Sequence, residues 1–318
     1  SQDGEQSRPG FFDQQERPAV AFSPMPSVER ALGVMGFPLG HSLSPLMFDT
    51  ALAELSLPYR FLAFEVPPER LGDAFLGIRA LGIHGVALTI PHKEAVVGHL
   101  DELTEPARRI GAVNLVFREG DRLVGHNTDG AGFVRSLREE ADLDPRGGRF
   151  LLLGAGGAAR GIASELAAQG ARALVIANRT LSRAETLAGW VRKTFDSVDV
   201  QAVPLRSGEA ERAATMADAV IQCTSLGLIG RDGEAEGASP LDPGCLRPGQ
   251  VVVDIVYRPL ETPFLRAAGD RGAKTVGGLG MLVFQGAENF RIWTGAELPV
   301  EKVRKEMEAA LLGEGGKG

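Results

Sequence analysis

Short apolar runs alternate along most of the chain with segments whose apolar residues recur at helical spacing. The runs predict strands over 31–36, 59–66, 84–90, 150–153, 173–177, 199–203, 219–222, 251–254 and 274–276. A strand pair is predicted over 112–118 and 123–125, joined by the turn 119–121. Helical spacing carries Leu46, Met47, Ala51 and Leu55 after Ser44-Pro45, where the hydroxyl is expected as the helix cap and proline as the first helical residue. Further helices are predicted over about 68–81, from Pro91, over about 130–141, through Ile162, Ala163, Leu166 and Ala167 to a stop at Gly170, and over 279–293 and 300–312. Strands that alternate with helices imply parallel-rich α/β sheets. The pattern divides into a polar, proline-rich tail at 1–27, expected to be mobile, a first α/β domain at 28–129 completed by helices within 282–318, and a second at 130–281, with a cleft between the domains. Residues 230–249, rich in Gly, Pro and acidic side chains, are expected as a long surface loop.

One junction carries chemistry. The run Phe150–Leu153 enters Gly154-Ala155-Gly156-Gly157-Ala158-Ala159, which opens a helix and is followed by another strand. This strand–turn–helix–strand context turns a G-x-G-x-x-A pattern into a Rossmann-type dinucleotide site, with a pyrophosphate on the free N–H groups of the helix start. Sites specific for NAD place a carboxylate near the end of the second strand to bind the ribose 2′-hydroxyl. Here that position reads Asn178-Arg179-Thr180, with Arg183 one helical turn later. Guanidinium groups match phosphate geometry, so NADP is the expected cofactor.

In the first domain, Lys93 follows a predicted strand and lies in the first turn of a helix, where the helix dipole disfavours a cation. Asp129, in His126-Asn127-Thr128-Asp129-Gly130, lies at the boundary between the domains. Ligands gather at such clefts, and a Lys–Asp pair there can move a proton on and off a substrate hydroxyl while a hydride moves to nicotinamide. The plainer role of Asp129 is a helix cap, which is compatible with the chemical one.

A chain of 318 residues has room for two sizeable cores, and its net charge of −7 argues against nucleic acid or an anionic membrane as a partner. The expected partner is a small molecule, with the chain a monomer or homodimer. Two cysteines, Cys223 and Cys245, fit a reducing, cytoplasmic setting without a disulfide framework, and none of the five histidines has metal-ligand spacing, so no metal is expected. The apolar runs are too short to span a membrane, and the first residues lack a secretory layout.

Six stretches in order resemble the shikimate dehydrogenase family and span essentially residues 31–312: His41-Ser42-Leu43-Ser44-Pro45, Thr89-Ile90-Pro91-His92-Lys93, Gly111-Ala112-Val113-Asn114, Asn127-Thr128-Asp129-Gly130, the 154–160 turn with Asn178-Arg179-Thr180, and Gly278-Leu279-Gly280-Met281-Leu282-Val283-Phe284-Gln285. The resemblance implies an NADP-linked interconversion of 3-dehydroshikimate and shikimate in aromatic amino-acid biosynthesis. It implies Lys93 and Asp129 as the catalytic pair, Ser42, Ser44 and Tyr257 at the substrate carboxylate, and Thr89, Asn114 and Gln285 as further substrate hydrogen-bonders. It also implies Thr224, Ile255 and Gly278 near the nicotinamide. The chain departs from the family pattern at Ala87, where asparagine is usual, at Leu115 in place of threonine, and at Gln222-Cys223 in place of Asn-Ala. Ala87 is expected to remove a polar contact to the substrate ring. Two alternatives follow: a paralog acting on quinate or another cyclic hydroxy acid, and a non-catalytic nucleotide-binding regulator, against which the retained Lys93 and Asp129 speak.

Overall fold

Twelve strands divide between two six-stranded sheets in the computed structural model, which describes residues 30–40, 42–228 and 239–314. The predicted tail, His41 and residues 230–238 of the predicted surface loop lie outside the described residues. The first sheet comprises β1 (Arg30–Gly36), β2 (Tyr59–Glu65), β3 (Gly85–Leu88), β4 (Glu102–Leu103), β5 (Leu115–Glu119) and β6 (Arg122–His126), in the order β2-β1-β3-β5-β6-β4. It is mixed: β1 runs parallel to β2 and β3, and β5 runs antiparallel to β3 and β6. The second sheet comprises β7 (Arg149–Leu153), β8 (Ala173–Asn178), β9 (Asp199–Pro204), β10 (Ala219–Gln222), β11 (Val251–Asp254) and β12 (Lys274–Val276), in the order β12-β11-β10-β7-β8-β9. All five of its pairings are parallel. Its buried strands read as continuous Val, Leu and Ile, as a sheet covered on both faces requires.

The helices α1 (Ser44–Glu54), α2 (Leu71–Ala80), α3 (His92–Ala95) and α4 (Glu105–Ile110) accompany the first sheet. The chain then crosses to the second sheet along α5 (Asp129–Ala141). There α6 (Gly157–Ala168), α7 (Leu181–Thr194), α8 (Gly208–Met216) and α9 (Pro263–Asp270) link successive strands. It returns along α10 (Gly278–Thr294) and ends in α11 (Val300–Glu314).

The return is part of the first core. Phe290 and Trp293 of α10 are buried with Met47, Phe48 and Phe61. The Phe48 ring stacks on Phe61 at 4.5 Å and meets Trp293 edge-on at 5.2 Å. Removing any one of these rings would cost about 3–5 kcal/mol, so the first sheet depends on the last part of the chain. The two crossing helices touch at their backbones: a methyl on Gly132 of α5 would lie 2.6 Å from the Gln285 nitrogen of α10. Arg135 lies 4.6 Å over the Phe284 ring, and Glu140 pairs with Arg304 of α11.

One local expectation changes. Ser44 is the first residue of α1, not its cap, because Leu43 already has helical backbone angles of −85° and −2°. No side chain caps α1, and its first turn holds no acid. The Ser42 hydroxyl oxygen instead accepts the Ser44 N–H at 3.3 Å.

Candidate active site

A cavity of about 180 Å³ opens where the first sheet, the crossing helices and the loop after β11 meet. Its wall contains Ser42, Ser44, Thr89, Lys93, Asn114, Asp129, Tyr257 and Gln285, with Ile255 and Gly278 at the side of the second domain. These ten residues come from segments far apart in the chain, and the fold brings them to one hollow.

The Lys93 ammonium donates to Asp129 Oδ2 at 2.5 Å. The Asp129 side chain is 11% exposed and that of Lys93 30%, so the carboxylate is the buried anchor and the ammonium still reaches the cavity. Asp129 is the first residue of α5, but its carboxylate caps nothing: Oδ1 accepts from Asn114 Nδ2 at 2.8 Å. The Asn114 amide is fixed by Thr128, whose backbone N–H donates to its Oδ1 at 2.8 Å, so its Nδ2 must face the carboxylate. Thr128 donates its hydroxyl to Asn289 Oδ1 at 2.8 Å, and Asn289 donates to Gln285 Oε1 at 3.3 Å. Gln285 is held in turn by its Nε2, which donates to the Leu282 carbonyl at 2.7 Å. A continuous polar chain thus runs from Lys93 across Asp129, Asn114 and Thr128 to α10. Asn289 was not foreseen from sequence. The available signal was its place one helical turn after Gln285, on the same face of the helix.

The anion-binding features of the cavity lie at the start of α1. The Ser44 N–H is taken by Ser42, Pro45 has none and the Met47 N–H bonds the Leu43 carbonyl. The donors there are therefore the Leu46 N–H and the hydroxyls of Ser42 and Ser44 on the cavity wall, at a positive helix end with no nearby acid. Tyr257 closes the other side, and burial pushes its phenol above the usual range. Its loop is held by buried Asp254, whose Oδ1 accepts the Val256 N–H at 3.0 Å and whose Oδ2 accepts the Thr262 hydroxyl at 2.7 Å. Burial pushes Asp254 up to about 6, against the two hydrogen bonds that favour its charged form. Gly278 is required structurally, since a methyl there would lie 2.2 Å from the Ile255 carbonyl oxygen.

The floor at Ala87 is apolar by pairing. Ala87 lies directly opposite Leu115 in the β3–β5 register, and both join the buried cluster around Phe48. The two departures from the family pattern are therefore neighbours, and Leu115 fills the space beside Ala87 with hydrocarbon.

The glycine turn joins β7 to α6. Gly154 has φ +119°, open only to glycine, while a methyl on Gly156 or Gly157 would meet nothing within 4 Å. Together with Ala155 and Ala158 these residues form an open cradle over the start of α6, which has no acid in its first turn. Beside it runs a groove of about 620 Å³, walled by Asn178, Arg179, Thr224 and Arg206 among others. Buried Gln222 shapes this wall: its Oε1 accepts both the N–H and the hydroxyl of Thr224 at 2.8 Å. Thr180 precedes α7 and Arg183 lies in its first turn, beside the groove and not on its wall. An open cradle over a helix start, next to cationic groups, fits a dinucleotide with an additional phosphate.

Among the described residues, no cluster of His, Cys, Asp or Glu is arranged to hold a metal, and no helix is long and apolar enough to cross a membrane.

Three family models match the chain: the shikimate dehydrogenase substrate binding domain at 34–116, shikimate / quinate 5-dehydrogenase at 138–241, and the shikimate 5′-dehydrogenase C-terminal domain at 278–308. A shikimate dehydrogenase (NADP(+)) from Geobacillus kaustophilus is 45% identical over 284 residues, covering 89% of this chain and 99% of the relative. Among solved structures, shikimate 5-dehydrogenase from Thermus thermophilus in complex with NADP(H) and shikimate is 38% identical with a TM-score of 0.78, covering 88% of this chain and 99% of that one. The 5-ketofructose reductase of a Gluconobacter strain is 36% identical with a TM-score of 0.79, covering 89% and 99%. Matched across both sheets and the returning helix, the chain belongs to the shikimate dehydrogenase family.

Proposed function

We propose that the chain is an NADP-dependent oxidoreductase that interconverts 3-dehydroshikimate and shikimate. The observation that carries this reading is the Lys93–Asp129 pair, bonded at 2.5 Å on the wall of a cavity rich in fixed donors and acceptors. NADPH, when bound in the groove of the second domain, supplies the hydride for reduction of the substrate ketone. Lys93 Nζ gives a proton to the substrate oxygen as it becomes an alcohol, and takes one back in the reverse direction. Asp129 holds that ammonium in place, and Asn114 holds Asp129. Ser42, Ser44 and the start of α1 bind the substrate carboxylate with Tyr257, while Thr89, Asn114 and Gln285 meet the ring hydroxyls.

Replacing Lys93 with alanine tests the assignment. Turnover of shikimate with NADP, followed by the absorbance of reduced nicotinamide, should fall about a hundredfold or more, as for loss of a general acid. NADPH binding, followed by fluorescence titration, should persist. Turnover near that of the wild type would remove Lys93 from the reaction.

The Ala87–Leu115 floor supports a second reading, a paralog acting on another cyclic hydroxy acid such as quinate. Shikimate and quinate assayed side by side, with NADP and with NAD, separate the two. In either reading the compartment is the cytoplasm, in keeping with the free thiols of Cys223 and Cys245, and the chain works as a monomer or homodimer.

A further inference from the structure

The groove beside the glycine turn has a second arginine that the strand-end motif does not contain. Arg206 follows β9, the edge strand, and faces the same hollow as Arg179, which follows β8. Two rigid turns present these side chains. The Arg179 turn is pinned by Asn178 Nδ2, which donates to the Thr180 carbonyl at 2.8 Å. The Arg206 turn is pinned by Ser207, whose hydroxyl donates to the Pro204 carbonyl at 2.8 Å and accepts the Ala210 N–H at 3.2 Å. The turns are also tied to each other, since the Leu205 N–H donates to the Asn178 carbonyl at 3.2 Å. The spacing between the two arginine backbones is thus set by hydrogen bonds.

Among the described residues, the groove wall contains two guanidinium groups and no carboxylate. Glu209 and Glu211 lie in the first turn of α8, close in sequence to Arg206. Among the described residues, however, Arg206 makes no ion pair, whereas Arg70, Arg79, Arg122, Arg138 and Arg266 each pair with an acid. A pre-positioned, unneutralised pair of guanidinium groups is suited to a dianionic phosphate monoester, which offers acceptors to both.

We infer that Arg206 is a specificity-determining residue that binds the 2′-phosphate of the cofactor's adenosine, opposite Arg179. This rests on the proposed NADP dependence and adds a residue from the third strand of the nucleotide domain. Arg206 acts on the difference between NADP and NAD, which share every other group.

The test measures binding without turnover. NADPH and NADH are titrated by fluorescence against the wild type, Arg206→Ala and Arg206→Glu. Loss of one charged hydrogen-bonding partner at an exposed site should weaken NADPH about tenfold in Arg206→Ala and further in Arg206→Glu, with NADH unchanged in Arg206→Ala. Adenosine 2′,5′-bisphosphate, as a competitor of NADPH, should lose the same factor, while 5′-AMP should lose none. Equal weakening of NADPH and NADH, or no weakening of NADPH, would overturn the role of Arg206 while leaving the cofactor reading in place. Equal affinity of the wild type for NADPH and NADH would overturn the cofactor reading and this inference with it.

Discussion

Gly132→Ala adds a single methyl at the point where the two crossing helices meet. That carbon would lie 2.6 Å from the Gln285 nitrogen, 2.7 Å from its Cβ and 2.8 Å from its Cα. Nonbonded carbons prefer roughly 3.5–4.0 Å, so α10 must retreat by about 1 Å. Helix propensity favours alanine over glycine by about 1 kcal/mol, and overpacking costs about 1–3 kcal/mol, so the net loss of stability is about 0–2 kcal/mol. The functional loss should be larger. Gln285 Oε1 is already 3.4 Å from Asn114 Nδ2, and a further ångström breaks that contact. Misplacing a substrate-positioning group by about 1 Å can lower turnover about a hundredfold. The expected result is a fall in kcat/KM for shikimate of about tenfold to a hundredfold, with a modest drop in Tm and unchanged NADPH affinity. A variant with wild-type kcat/KM would refute the idea that the close approach of α5 and α10 sets the position of Gln285. So would one whose only defect was in NADPH binding.

Two other perturbations test separate parts of the molecule. Gly156→Val should fold normally, because Gly156 has an ordinary extended conformation (φ −90°, ψ −172°) and faces open space. Its side chain would fill the cradle over α6, so thermal melting should be unchanged while NADPH titration shows at least about a tenfold loss. Asp254→Asn addresses pH. The Asp254 carboxyl is raised from 3.8 to about 6 in the folded chain, so between those values the native state holds more protons than the unfolded one. Stability from this group is complete below about pH 4 and is lost as pH rises through 6, by on the order of 1–3 kcal/mol. Urea midpoints of the wild type should therefore decline across that window relative to the asparagine variant; parallel profiles would show that Asp254 is not the group responsible.

Much of this was legible in the chain because the signals were local. The glycine turn, the Ser44-Pro45 helix start and the alternation of strands and helices each depend on neighbours in sequence, and the structure has the corresponding elements at nearly the same places. The family resemblance supplied the polar residues that the cavity wall gathers. What stayed hidden depends on contacts across the chain. Asn289 is an ordinary polar helix residue until Thr128, the residue before α5, reaches it. The role of Leu115 appears only when register places it opposite Ala87. Arg206 gives no motif, since its meaning comes from the adjacency of β8 and β9. Even the start of α1 shifted, because the Ser42 hydroxyl engages the Ser44 N–H and Leu43 takes helical angles first.

The side-by-side crossing of α5 and α10 has a mechanical consequence. The chain passes between the sheets along these two helices, so any relative rotation of the two halves would be borne by them, as by a double axle. Asp129 lies at the end of that axle nearest the first sheet, and its partners Lys93 and Asn114 belong to the same side. A rotation about this axle would swing the groove of the second sheet through an arc while Lys93 and Asp129 stayed near the pivot. Such a rotation would change the distance from the groove to the pair and leave the Lys93–Asp129 bond itself untouched.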